Sequence, residues 1–193
     1  MLACTLALLL FARGAHAATY FVCPMGGSDN NDGRSAQKPW KSWQKAEAVL
    51  GARQANESLV VNVCRGGTVT SGHQFTLHPV GYPRTVQAYT APGSSATARP
   101  ILSGVGIWGA AGLRDVTFDG LEFRADAKST AKIALEFDHG GGIDVTIRNC
   151  RIDGYGCNIA SATYNTGHPK PPGGINNANF KLLDSEVSDQ HTN

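Results

Sequence analysis

The densest group of ionisable side chains in the chain is Asp184, Glu186, Asp189 and His191. Carboxylates beside an imidazole can move protons or hold a cation. Asp189 and His191 are therefore candidate acid–base residues, and Asp184 is a candidate metal ligand. A second acidic knot, Asp29-Asn30-Asn31-Asp32-Gly33, offers Asp29 and Asp32 as oxygen ligands but lacks the remaining ligands and terminal Glu of a calcium loop. A polar turn closed by Asx hydrogen bonds accounts for the same residues. Arg148 and Arg151 flank a short Arg-Asn-Cys-Arg bend, where they could grip a carboxylate or simply be solvated. Asp138-His139, ahead of three glycines, reads as a weak catalytic pair or as a strand-end turn.

These residues must be positioned by something, and three stretches supply it. Asp115–Phe123 (DVTFDGLEF), Asp144–Ile152 (DVTIRNCRI) and Asn179–Val187 (NFKLLDSEV) align position by position. Val116, Val145 and Phe180 fall together, as do Phe118, Ile147 and Leu182, and then Phe123, Ile152 and Val187. Apolar residues two apart share one face of a strand. The pairs Asp119-Gly120, Arg148-Asn149 and Leu183-Asp184 suit a residue with positive φ, where the chain bends. Each unit is thus strand, sharp bend, strand, at spacings that signal a solenoid. In such a tube the inward residues are core, and a site would be built from outward charges on successive coils.

Composition agrees. Of 193 residues, 23 are Gly, 17% are charged and 41% are hydrophobic, which suits a turn-rich β protein. A net charge of +2 gives no reason to expect nucleic acid, and the apolar run Leu2–Ala12 is too short to span a bilayer. With Ala15-His16-Ala17 behind it, that run reads as a signal peptide over residues 1–17, although no Lys or Arg precedes it. The expected location is secreted or periplasmic. Export permits disulfides, and Cys23 and Cys64, each ending an early strand, could pair. Cys150 takes an inward position equivalent to Leu121 and reads as core, with a bond to Cys157 the weaker option.

Residues 18–58 hold a strand, the polar loop and a helix from about Ser42 to Ala52, whose face Trp40, Trp43, Ala46 and Leu50 would cap the tube. Coils then run from 59 to 193. Gly27-Ser28-Asp29-Asn30-Asn31-Asp32-Gly33, Lys38-Pro39-Trp40, Arg65-Gly66-Gly67-Thr68 and the pair Thr85–Tyr89 and Arg99–Gly104 resemble the entry of secreted right-handed parallel β-helix proteins of the pectate-lyase-like superfamily. They are most similar to family 9 polysaccharide lyases and their uncharacterised relatives. The fold expected is an all-β solenoid, a right-handed parallel β-helix with an N-terminal capping helix. It would be truncated at the C-terminus, because the chain stops mid-coil after Val187.

The resemblance implies a carbohydrate-active protein acting on or binding an acidic polysaccharide such as pectate or alginate, with calcium as a possible cofactor. In a lyase, Ca²⁺ or a cation neutralises the uronate and a Lys, Arg, Tyr or His acts as base, roles open to Arg148, His191 or Asp189. Arg151 could bind the uronate. The insertion Ala162–Gly174 (ATYNTGHPKPPGG) would project beside a glycan groove, offering Tyr164 and Lys170, with Tyr155 nearby, or would be a tolerated loop. A non-catalytic glycan-binding or surface solenoid and a glycoside hydrolase, which needs two facing carboxylates, remain the alternatives.

Overall fold

Alternating apolar residues can be buried on one side only if strands stack, and here they stack coil upon coil. The structure is a computed structural model describing residues 17–52, 57–110, 112–131, 133–137, 143–161 and 179–188. Strand β1 (Ala18–Val22) is followed by helix α1 (Trp43–Leu50). Coils follow: β2 (Leu59–Cys64), β3 (Thr68–Thr70) and β4 (Gln74–Leu77); then β5 (Arg84–Tyr89), β6 (Ile101–Ser103) and β7 (Gly106–Gly109). Next come β8 (Arg114–Asp119), β9 (Glu122–Arg124) and β10 (Ile133–Phe137), then β11 (Ile143–Arg148), β12 (Arg151–Asp153) and β13 (Cys157–Ser161). Strands β14 (Lys181–Leu183) and β15 (Glu186–Ser188) belong to a further turn.

Corresponding strands pair in parallel and build three sheets. Sheet A runs β1-β2-β5-β8-β11-β14, sheet B runs β3-β6-β9-β12-β15, and sheet C runs β4-β7-β10-β13. The architecture is therefore a parallel β-solenoid.

The three repeated stretches fall into the register their sequences suggest. Phe118 pairs with Ile147 and Ile147 with Leu182 on sheet A, and Phe123 with Ile152 and Ile152 with Val187 on sheet B. Phe118, Phe123, Ile147 and Ile152 are wholly buried, and Phe118 meets Phe123 edge-on round the corner at 5.8 Å. Each such side chain contributes roughly 1.5–3 kcal/mol of apolar burial. The bends lie at Gly120, Asn149 and Asp184, with φ of +71°, +53° and +46°. Asp115 and Asp144 lie in β8 and β11, as read from sequence, and like Asn179 ahead of β14 they are left-handed (φ +55°, +55° and +57°). They form the corner by which each coil enters sheet A, a conformation Asp and Asn tolerate better than other non-glycine residues.

At the N-terminal end, Ser42 is an extended N-cap, so the helix begins at Trp43 and buries Trp43, Ala46 and Leu50. Trp40 is not part of that face, contrary to expectation. It precedes the helix, stacks on Tyr20 at 4.7 Å and donates its indole N–H to the Asn31 carbonyl at 3.0 Å. A disulfide joins Cys23 to Cys64, tying the end of β1 to the end of β2. Cys150 is a buried free thiol, inward-facing, whose pKa burial pushes up. No helix among the described residues is long and apolar enough to cross a membrane.

Candidate functional site

The residues singled out by chemistry do not converge. Asp189, His191, Tyr164 and Lys170 lie outside the described residues, as does Asp138-His139. Asp184 occupies a left-handed bend. One Asp29 carboxylate oxygen accepts the backbone amides of Lys41 (3.0 Å) and Ser42 (2.9 Å), and Asp32 accepts that of Arg34 (3.0 Å). Burial would raise the Asp29 pKa, but the hydrogen bonds from Ser42 and Lys41 outweigh it and the net direction is down. One oxygen of each of these two carboxylates is engaged by backbone donors, and no group of three or more His, Cys, Asp or Glu that could hold a metal occurs among the described residues. The loop's task is to clasp Trp40 and fix the start of α1, where a carboxylate complements the helix dipole.

Tyr155 is corrected too. It is buried, with its hydroxyl 2.8 Å from the Val105 carbonyl and 3.2 Å from that of Arg124, so it bolts a corner and cannot stack on a ligand. Sequence reasoning also passed over Arg84, an inward cation whose guanidinium donates to the carbonyls of His78 (2.5 Å) and Ala52 (3.4 Å). Desolvation lowers its pKa to about 10. Positive charge just beyond the C-terminus of α1 suits the helix dipole.

Outward charges on successive coils do exist, but they neutralise one another. On sheet A, Arg148 lies 2.8–2.9 Å from Asp119 in the adjacent strand, and Asn149 donates to the same carboxylate. On sheet B, Glu122, Arg151 and Glu186 form one column and Arg124, Asp153 and Ser188 the next. Arg124 contacts Glu122 and Arg151 contacts Asp153, so sign alternates along and across the strands. Arg148 and Arg151 are thus paired with their own neighbours while their side chains stay about half exposed.

Sheet C differs. Phe75, Leu77, Ile107, Leu135 and Phe137 point inward, which turns the alternate residues Gln74, Thr76, Trp108 and Glu136 outward. Thr76, Trp108 and Glu136 stand in register on three adjacent strands, about 4.8 Å apart. The indole is half-buried and sits between a hydroxyl and a carboxylate. In the neighbouring row Gln74 pairs with Gly106, and its amide crosses that strand to donate to Glu136 at 2.9 Å. Gly106 is needed for this. A Cβ there would lie 2.8 Å from the Ile133 carbonyl oxygen and 3.2 Å from the Gln74 Cβ. No Lys or Arg among the described residues pairs with Glu136.

Next to Gln74, a second polar cluster joins α1 to the β3–β4 corner. Ser71 donates to Glu47, the Ser71 hydroxyl lies 3.0 Å from His73 Nδ1, and His73 Nε2 lies 3.4 Å from Glu47. These are the residue types of a nucleophilic relay, but a relay needs a hydroxyl that gives its proton to the imidazole. Here the carboxylate takes the hydroxyl directly, so the cluster acts as a latch between helix and loop. The short hydrophobic period of sheet C, broken by glycines, hid its outward row from the sequence, and the Ser71–His73–Glu47 cluster joins residues too far apart along the chain to show as a motif. The one available signal was Trp108 itself, alternating with Ile107 behind the Ile101–Gly104 segment.

No family model matches this chain, and neither does any curated protein. Among solved structures, the chain is similar to the crystal structure of a GH136 lacto-N-biosidase from Eubacterium ramulus, at 12% identity and a TM-score of 0.39. That alignment covers 88% of this chain and 41% of the other, so the chain spans about two fifths of its length.

Proposed function

We propose that this protein is an exported glycan-binding solenoid that holds a sugar chain along the outer face of sheet C. The observation carrying the reading is Trp108, an outward aromatic held between Thr76 and Glu136 on an otherwise polar strand face. A flat indole with hydrogen-bonding groups on either side offers a stacking surface to a pyranose ring and orienting contacts to its hydroxyls. The parallel stack supplies a rigid, straight strip suited to an extended ligand. In this reading residues 1–17 are a leader, α1 closes the N-terminal end of the tube, and the Cys23–Cys64 disulfide belongs to a protein that folds outside the cytoplasm.

The test is retention on a panel of immobilised and soluble polysaccharides, with wild type beside Trp108→Ala. The expected result is binding to at least one glycan, weakened roughly 30-fold by the substitution, the effect of losing a central aromatic anchor. Circular dichroism should show the variant folded. A glycan bound equally well by Trp108→Ala, or no glycan bound at all, rules this reading out.

A further inference from the structure

We propose that the N-terminal edge of sheet B is a docking site for an extended, acidic segment of polypeptide, which adds to β3 as a further strand. At the capped end of the tube the three sheets end in β1, β3 and β4, each with one edge unpaired by another strand. Two of these edges are covered. On β1, the Phe21 amide donates to the Gly33 carbonyl and the Phe21 carbonyl accepts from the Trp40 amide, both at 2.8 Å. On β4, the end of α1 lies against the strand, where a Cβ on Gly51 would stand 3.2 Å from the Thr76 carbonyl oxygen.

Strand β3 is different. The Gly67 carbonyl accepts the Ile101 amide of β6 at 2.9 Å, and main-chain groups alternate sides along a strand. The N–H and C=O of Thr68 and of Thr70 therefore face away from β6, and both residues are exposed. The Thr70 carbonyl accepts the Gln44 side-chain amide at 3.3 Å. The Thr68 N–H and C=O and the Thr70 N–H have no partner among the described residues. They border a groove of about 330 Å³ whose other side is formed by Lys41, Ser42 and Gln44 at the start of α1, a size within the range of ligand sites. An extended main chain presents the alternating donors and acceptors that such an edge takes up.

The charge preference comes from Lys41, which is exposed and has no carboxylate partner among the described residues. Asp29, also on the groove, is already met by the amides of Lys41 and Ser42 and by the charge of Lys45. An acidic side chain on the added strand would therefore be drawn to Lys41 and a basic one repelled. The site lies on another sheet from Trp108, so its test is independent of the glycan reading.

The experiment is a titration of the whole isotope-labelled chain, read by amide shifts and amide exchange, with the end-blocked peptide Val-Thr-Glu-Thr-Val. It is compared with the same peptide carrying Lys for Glu, and with two forms N-methylated at alternate residues, each blocking one edge of the peptide. The expected result is shifted and more slowly exchanging amides at Thr68 and Thr70, with the Lys peptide bound roughly tenfold more weakly. Only one of the two methylated forms should bind. Lys41→Glu should reverse the preference between the Glu and Lys peptides. Thr68→Pro removes an edge N–H and leaves the ladder to β6 in place, so it should weaken binding by about tenfold or more with circular dichroism unchanged. If that variant unfolds, Lys41→Glu and the methylated peptides still decide. Equal binding of both methylated forms, shifts that spare Thr68 and Thr70, or no binding by any peptide overturns the proposal. So does self-association of Lys41→Glu without peptide binding, which would make Lys41 a guard of the edge. Cello-oligosaccharides that shift these amides when no peptide does overturn it as well.

Discussion

Sheets B and C are built from the same coils and share one core, yet they use their outward positions in opposite ways. On sheet B each charge faces its opposite. Glu122, Arg151 and Glu186 alternate down one column, Arg124 and Asp153 down the next, and Arg124–Glu122 and Arg151–Asp153 close within strands. On sheet C the outward row is Thr76, Trp108 and Glu136, with one neutral amide reaching across. A parallel stack places equivalent residues about 4.8 Å apart, so identical charges repeated coil after coil would repel. Alternation is what a purely structural face requires. Sheet C departs from that rule in a single place, and the departure combines an aromatic surface with uncompensated negative charge. A face already satisfied by itself has little to offer a ligand, whereas sheet C has.

The largest expected effect should not distinguish the two faces at all. The Cys23–Cys64 bond spans 41 residues of sequence, and closing a loop of that size stabilises by roughly 4 kcal/mol on the chain-entropy account. Replacing both cysteines by serine should lower the denaturant midpoint accordingly. Sheets B and C should be lost in one transition, because they share the core that β1, β2 and α1 help to bury. Tryptophan fluorescence and circular dichroism followed together would check this. Separate transitions would show that the faces are independently stable units.

Much of this architecture could be read from the residues. The alignment of Val116 with Val145, and of Phe118 with Ile147 and Leu182, predicted the register observed on sheet A, and the Gly, Asn and Asp of the bends adopt the positive φ their chemistry favours. The cores of sheets A and B were legible because burial imposes a period. Sheet C was not. Its strands follow connections of unequal length, and β7 (Gly-Ile-Trp-Gly) is too short and too glycine-rich to show alternation. The residues chosen for their acidity were legible as polar but not as structural. Asp29 looks like a ligand in sequence and is a backbone acceptor in the fold. The repeat alignment put Asp119 and Arg148 at equivalent bend positions of successive coils, but that their side chains pair shows only once the coils stack.

A smaller effect belongs to the corner between the two faces. The buried Tyr155 hydroxyl reaches the carbonyl of Val105, just before sheet C strand β7, and that of Arg124, at the end of sheet B strand β9. Tyr155→Phe takes the hydroxyl donor from the Val105 carbonyl, while the Arg124 carbonyl keeps the Gly104 amide, at a cost of about 1–2 kcal/mol, equivalent to roughly 3–6 °C in Tm for a chain of this size. Glycan affinity should stay within about twofold, because no outward residue of sheet C is touched. A loss of binding without a loss of stability would mean that the corner sets the position of Trp108.

The smallest effect tests the alternating face itself. Arg151 is partly exposed and its pair with Asp153 is long, at 3.5 Å, so removing the charge should matter little; exposed pairs are worth about 0–1 kcal/mol. Reversing it is more informative. Arg151→Glu would place three acidic residues in one column, between Glu122 and Glu186, with Asp153 two positions along the strand. Like charges directly opposite destabilise a sheet by a few tenths of a kcal/mol to about 1 kcal/mol per pair. The loss should therefore be measurable in low salt and should shrink in about 1 M salt, where charges more than roughly 3 Å apart are screened. Introducing a positive charge on sheet C by Thr76→Lys should behave in the opposite sense, stabilising slightly in low salt by approaching Glu136. If Arg151→Glu is instead neutral at every salt concentration, the alternation on sheet B carries no energetic weight, and the contrast with sheet C rests on Trp108 alone.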